Sequence, residues 1–113
     1  MMKISKLVMS LLVGGCCIFT FFIGGDSAQA ASPINGEAIF KMNCAACHAN
    51  GGNIVKPTRT LSKKDREKSG LKTNKDLVKY MRSPDEEMPT FDENKLPENE
   101  AKAVADYIIK TFK

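Results

Sequence analysis

The chain has 113 residues, 42% apolar and 27% charged, with a formal net charge of +4, four cysteines and a single histidine. That length fits one small domain. The near-even charge balance, without a basic stripe interleaved with aromatics, gives no support to nucleic-acid binding.

Met1 to Lys6 carries Lys3 and Lys6, Leu7 to Ile23 is almost wholly apolar, and Ser27-Ala28-Gln29-Ala30 has the small-residue pattern that signal peptidase accepts. Residues 1–30 are therefore expected to be an export signal cut after Ala30, directing the remainder to a periplasm or thylakoid lumen. Two other readings stay open: the apolar run approaches a membrane span, and Val13-Gly14-Gly15-Cys16 loosely resembles a lipoprotein site. Against the second, Cys17 to Ile23 continues the apolar run past the cysteine.

Residues 31–113 carry 15 Lys and Arg against 12 Asp and Glu, a formal +3. A chain of that size gains thin stability from an apolar core alone and calls for a staple such as a disulfide, a metal or a cofactor.

No strand pattern appears in the sequence. A first helix is expected from Gly36 to Ala46, capped by Asn35, with Ala38, Ile39, Met42 and Ala46 on one face and Phe40 beside it. It runs into Cys44-Ala45-Ala46-Cys47-His48. Two thiols three residues apart, followed directly by a histidine, form the attachment signature of a c-type haem. The cysteines add across the haem vinyl groups, and the histidine then lies under the iron as a nitrogen ligand. A closed zinc site would want a fourth ligand that residues 31–113 do not offer from Cys or His. A thioredoxin-like pair would want a strand leading into the motif. With both cysteines used as thioethers, no disulfide is expected, and the haem is the staple.

Asn50-Gly51-Gly52-Asn53 and then Pro57 turn the chain away from the helix. Ser62, with Asp65 three residues on, starts a short helix that Gly70 ends. Asn74 to Arg82 is a third helix, with Leu77, Val78 and Met81 on one face, stopped by Ser83-Pro84. The last helix spans Pro97 to Phe112, its apolar stripe of Ala101, Val104, Ala105, Ile108 and Phe112 lying opposite Glu98, Lys102, Asp106 and Lys110. Small residues at Gly36 and Ala105, with Phe40 and Tyr107 nearby, would let the first and last helices cross closely.

With no second histidine, a sixth iron ligand has to come from a soft donor: Met42, Met81 or Met88. Met42 lies on the helix feeding the proximal side and is assigned to core packing. Met81 sits in a helical stripe as a gap-filler. Met88 stands in a loop before Pro89, which restricts the backbone so that the sulfur can be held towards the iron. There is no distal histidine or paired acid and base beside the motif, so the expected protein is not an enzyme. A haem sensor or peroxidase-like protein with an open sixth position, and a membrane-tethered haem subunit of an oxidase, are the alternatives.

Asn35-Gly36 through Phe40, the haem pentapeptide, Gly51-Gly52-Asn53-Ile54-Val55-Lys56-Pro57, Thr60-Leu61, Met88-Pro89-Thr90-Phe91 and Ala103 to Ile108 together resemble the class I c-type cytochromes. Within these, the glycine-rich loop and Thr60-Leu61 are similar to the cytochrome c6 branch of photosynthetic electron carriers. The resemblance makes residues 31–113 a cytochrome c domain with an all-α, small monohaem fold of about four helices. It implies one haem c covalent through Cys44 and Cys47, His48 and Met88 as axial ligands, and the Pro57 carbonyl accepting from the second nitrogen of His48. It further implies a soluble, monomeric one-electron carrier making transient contacts with a cytochrome b-type complex and a photosystem or terminal oxidase. The membrane is then met only through those partners or an uncleaved N-terminus.

The chain departs from that family at Ser83-Pro84-Asp85-Glu86-Glu87, where a Gly-containing turn is usual, and at Tyr80, where Gln is common. Residues 56–82 hold ten basic and three acidic side chains, and 83–106 hold two basic and eight acidic, so a strong dipole that steers partners is expected. The three carboxylates before Met88 would favour the ferric charge if close to the iron. Arg59, Lys79 and Arg82 are candidates, by charge alone, for the haem propionates.

Overall fold

The computed structural model describes residues 32–113. The expected export signal at 1–30, with its cleavage after Ala30, lies outside the described residues.

Among the described residues five α-helices follow one another: α1 (Gly36–Asn43), α2 (Ala45–His48), α3 (Lys63–Lys68), α4 (Asn74–Arg82) and α5 (Glu98–Thr111), with a 3-10 turn at Ala49–Gly51. The described residues contain no strand, as the periodicity predicts. The one addition is α2, which the sequence reads as the end of α1; Cys44 breaks the two by standing as C-cap of one and N-cap of the other.

Local signals account for the helix starts. The Asn35 side chain accepts from the Ala38 N–H, and that of Ser62 accepts from the Asp65 N–H. Helix α4 begins with a capping box that the sequence reading missed: Thr73 accepts from the Asp76 N–H, and the Asp76 carboxylate accepts from the Thr73 N–H.

Helices α1 and α5 cross at Gly36, where only the missing side chain allows the approach: a Cβ there would stand 2.1 Å from the Ala103 carbonyl oxygen. This contact fixes the rotation of α1. It turns Phe40 inward, to 3% exposure, and leaves Met42 84% exposed. The expectation that Met42 packs in the core is therefore wrong, and Ala38 and Ala46 are likewise exposed. Gly36, Phe40 and Cys44 form the inward row at i, i+4 spacing. Phe40 then meets Tyr107 and Phe112, with ring centroids 5.2 and 5.6 Å away, in tilted packing.

The remaining core is what the helical stripes predict: Leu77, Val78 and Met81 from α4 against Ala101, Val104, Ala105 and Ile108 from α5, closed by Leu96. Asn74 ties the two helices at the surface, donating to the Lys102 carbonyl at 2.9 Å and to Asp106 at 2.6 Å.

Candidate haem site

Between α1–α2 and the long loops lies a cleft of about 1150 Å³, counting its open mouth. Cys44, Cys47, His48 and Met88 all line it. The sequence places these four residues across 45 positions; the fold brings them to one cavity.

The Cys-x-x-Cys-His segment is presented by a backbone turn. Asn50 takes a left-handed φ of 53° and Gly51 one of 77°, and a Cβ on Gly51 would meet the Phe112 ring at 2.4 Å. The chain therefore doubles back under α2, with the Ile54 N–H donating to the Cys47 carbonyl at 3.0 Å and the Leu61 N–H to the Gly51 carbonyl at 2.7 Å. Asn53 organises the loop that follows, its side-chain oxygen accepting from the Val55 and Lys56 N–H groups.

That turn decides the partner of His48. Its Nδ1 lies 2.8 Å from the Gly52 carbonyl oxygen, four residues on. The expected Pro57 carbonyl is not the partner, and Pro57 does not line the cleft. The left-handed pair at Asn50 and Gly51 brings the Gly52 carbonyl back onto the ring first. With Nδ1 engaged on a carbonyl as donor, Nε2 is the nitrogen with a free lone pair.

Before a haem is attached, burial pushes the Cys44 thiol up to about 11. A redox-active pair depends on the opposite, a thiol pulled down to a reactive thiolate. Cys44 and Cys47 are both free of any disulfide. Among the described residues no group of three His, Cys, Asp or Glu side chains is arranged to hold a metal ion.

Met88 is half-buried, in a turn whose N–H donates to the Asp85 carbonyl at 3.1 Å. Met81 also lines the cleft but is packed into the core at 5% exposure. Two ion pairs tie the Met88 loop to the chain after the haem motif: Arg59 to Asp85 at 2.5 Å and Lys56 to Glu87 at 2.6 Å. The Arg59 guanidinium and then the Tyr80 hydroxyl hold the Asp85 carboxyl below the usual range. Tyr80 and Asp85 are two of the positions at which the chain departs from the family pattern. Each of the two ion pairs joins a basic residue of 56–82 to an acidic residue of 83–106.

Of the propionate candidates, Lys79 is exposed and away from the cleft. Arg82 is committed elsewhere, donating from Nη1 to the Phe91 and Leu96 carbonyls at 2.7 Å each and from Nη2 to Glu98 at 3.2 Å.

The chemistry of this donor set fits a c-type haem: two thiols, an imidazole with one nitrogen left for a metal and a thioether converge on a cleft whose interior is lined by Leu77, Met81, Leu96 and Ile108. An all-helical fold around such a cleft defines a small monohaem cytochrome c.

Comparison with known proteins carries this further. A family model described as "Cytochrome C oxidase, cbb3-type, subunit III" matches residues 31–108. The chain is 36% identical over 104 residues to cytochrome c6 of Nostoc sp., covering 92% of each protein. Outer membrane cytochrome F from Geobacter sulfurreducens superposes with a TM-score of 0.69 at 37% identity, over 70% of this chain and 100% of that one. Cytochrome c6 of the diatom Phaeodactylum tricornutum gives 0.62 at 36% identity, over 66% and 87%. The chain belongs to the class I c-type cytochromes, among the cytochrome c6-like members. It carries one covalently bound c-type haem and is an electron-transfer protein, not an enzyme.

Proposed function

We propose that this cytochrome is an exported one-electron carrier whose iron is held by His48 Nε2 and Met88 Sδ, with thioethers to Cys44 and Cys47. The observation that carries the reading is that the only histidine of the sequence has its Nδ1 held by the Gly52 carbonyl, while Met88 lines the same cleft. The haem, when bound, supplies a ferric/ferrous couple.

The chain's own residues account for the rest. The Gly52 carbonyl fixes the ring orientation and donor strength of His48. The Asp85–Met88 turn and the two ion pairs on its carboxylates restrain the loop that carries the methionine. A core thioether such as Met81 is a poorer candidate because it packs among Leu77 and Val78 on α4. Export would follow from residues 1–30. Ile54 and Val55, 68% and 51% exposed, sit on the loop beside the motif and suit brief apolar contacts with redox proteins. A cytochrome b-type complex as donor and a photosystem or terminal oxidase as acceptor are the partners this role implies.

Proton NMR of the reduced holoprotein tests the ligand set. A methionine methyl signal shifted far upfield by the haem ring current should vanish in Met88→Leu and persist in Met81→Leu. Its survival in Met88→Leu would reject Met88 as the ligand.

A further inference from the structure

Arg66 is the only buried charged residue among the described residues, 4% exposed, and its side chain lines the haem cleft. Its Nε donates to the Leu61 carbonyl at 2.8 Å and its Nη2 to the Phe112 carbonyl at 3.3 Å. Neither acceptor carries charge, and no carboxylate of the described residues lies within 4.0 Å of it. A guanidinium taken out of water without a counter-charge is strongly destabilising.

The other charged groups of the cleft do not supply one. Lys56 is paired with Glu87 and Arg59 with Asp85. The Asp65 carboxylate, the immediate neighbour of Arg66 on α3, accepts from the Thr60 N–H at 3.1 Å and from the Thr60 hydroxyl at 2.5 Å. Lys56 and Arg59 thus have charged partners, while Asp65 is held by the neutral Thr60 and forms no ion pair with Arg66.

A c-type haem carries two propionate carboxylates, and Arg66 lines the cleft that would hold it. We propose that Arg66 binds a haem propionate, and that this pair, rather than one made by Arg59, Lys79 or Arg82, neutralises the buried charge. The inference rests on the haem reading above. Arg is suited to it, since the planar guanidinium keeps donors available after bonding two carbonyls and stays ionised throughout the working pH range. The two backbone bonds hold the fork in place before the cofactor arrives.

The test is a redox titration of the covalently loaded protein between pH 5 and 9 for wild type, Arg66→Lys and Arg66→Gln. Wild type should give a midpoint potential that is flat around neutrality, because a propionate beside a cation stays ionised. Arg66→Gln keeps an amide donor but loses the charge. Its potential should fall at neutral pH and rise again towards acid, as the freed propionate titrates with an apparent pKa about 1 to 3 units higher. Arg66→Lys should stay close to wild type in shape. A curve for Arg66→Gln that superposes on wild type, accompanied only by lower thermal stability, would overturn the proposal and leave Arg66 as a strap between two carbonyls. If Arg66→Gln does not mature, carbon NMR of labelled propionates in wild type decides: both titrating in the ordinary carboxylate range would overturn it, and one held below that range supports it. Absence of covalent haem by mass would instead sink the underlying reading.

Discussion

Gly36 stands so close to Ala103 that a Cβ on it would fall 2.1 Å from the carbonyl oxygen and 2.6 Å from the carbonyl carbon. Both obstacles are helix backbone, which cannot swing aside. Gly36→Ala should therefore push α1 off α5 and disturb the Phe40–Tyr107–Phe112 cluster, at a cost of about 1–3 kcal/mol or more. Gly70 makes a useful contrast: its φ is +77° but nothing lies within 4 Å of the added Cβ. Gly70→Ala should cost only the left-handed backbone preference, about 1 kcal/mol. Chemical denaturation of both variants checks the order; equal costs would mean the crossing is not as tight as described.

The Arg59–Asp85 pair joins the loop after the haem motif to the turn before Met88, with both side chains substantially exposed. Asp85→Asn should raise the midpoint potential slightly by leaving Arg59 unpaired, and Arg59→Gln should lower it. Exposed charges are heavily screened, so each shift is expected to be on the order of ten millivolts at low salt and smaller at high salt. The double variant should return near wild type. Redox titrations at two ionic strengths measure this, and shifts of the same sign in both single variants would contradict it.

Asp65 is held below its usual range by the Thr60 hydroxyl and N–H, Asp76 by the Thr73 N–H and hydroxyl, and Glu98 by Lys102 and then Arg82. A depressed carboxyl in the folded state contributes stability that is present above the unfolded value and lost as pH falls through the folded one. Stability should thus hold down to about pH 4.5 and decline below it, over the window beneath the ordinary values of 3.8 and 4.5. Thr60→Val should shallow that decline by releasing Asp65. Acid titration of thermal midpoints provides the check, and an unchanged slope would remove Asp65 from the account.

Thr73 caps α4, the helix that places Leu77 and Met81 on the cleft. Thr73→Ala should cost about 1 kcal/mol. Its spectrum should be unaltered, since neither Thr73 nor Asp76 lines the cleft. Denaturant midpoints and the haem absorption bands, read on the same sample, separate the two effects.

Much of this was legible in the sequence for definite reasons. The pentapeptide at Cys44 to His48 is contiguous, and the stripes on α4 and α5 repeat at helical spacing, so local pattern and final burial agree. Where the reading failed, the deciding contact was between distant segments. Met42 belongs to an apolar face of α1 that Gly36, docked on Ala103, turns to solvent. The partner of His48 depends on the left-handed turn at Asn50 and Gly51, which sets the Gly52 carbonyl rather than that of Pro57 against Nδ1. Arg66 looked like one charge among many in a basic stretch. Only the return of Phe112 to the same region, 46 residues later, reveals that it is buried.

The most direct test of the central claim is the absorption spectrum of the holoprotein, oxidised, reduced, and reduced under carbon monoxide. A site closed by His48 and Met88 predicts low-spin bands, a weak long-wavelength sulfur-to-iron band in the ferric form, and no change on adding carbon monoxide at neutral pH. A high-spin spectrum, or ready carbon monoxide binding, would mean an open iron and contradict the electron-carrier account.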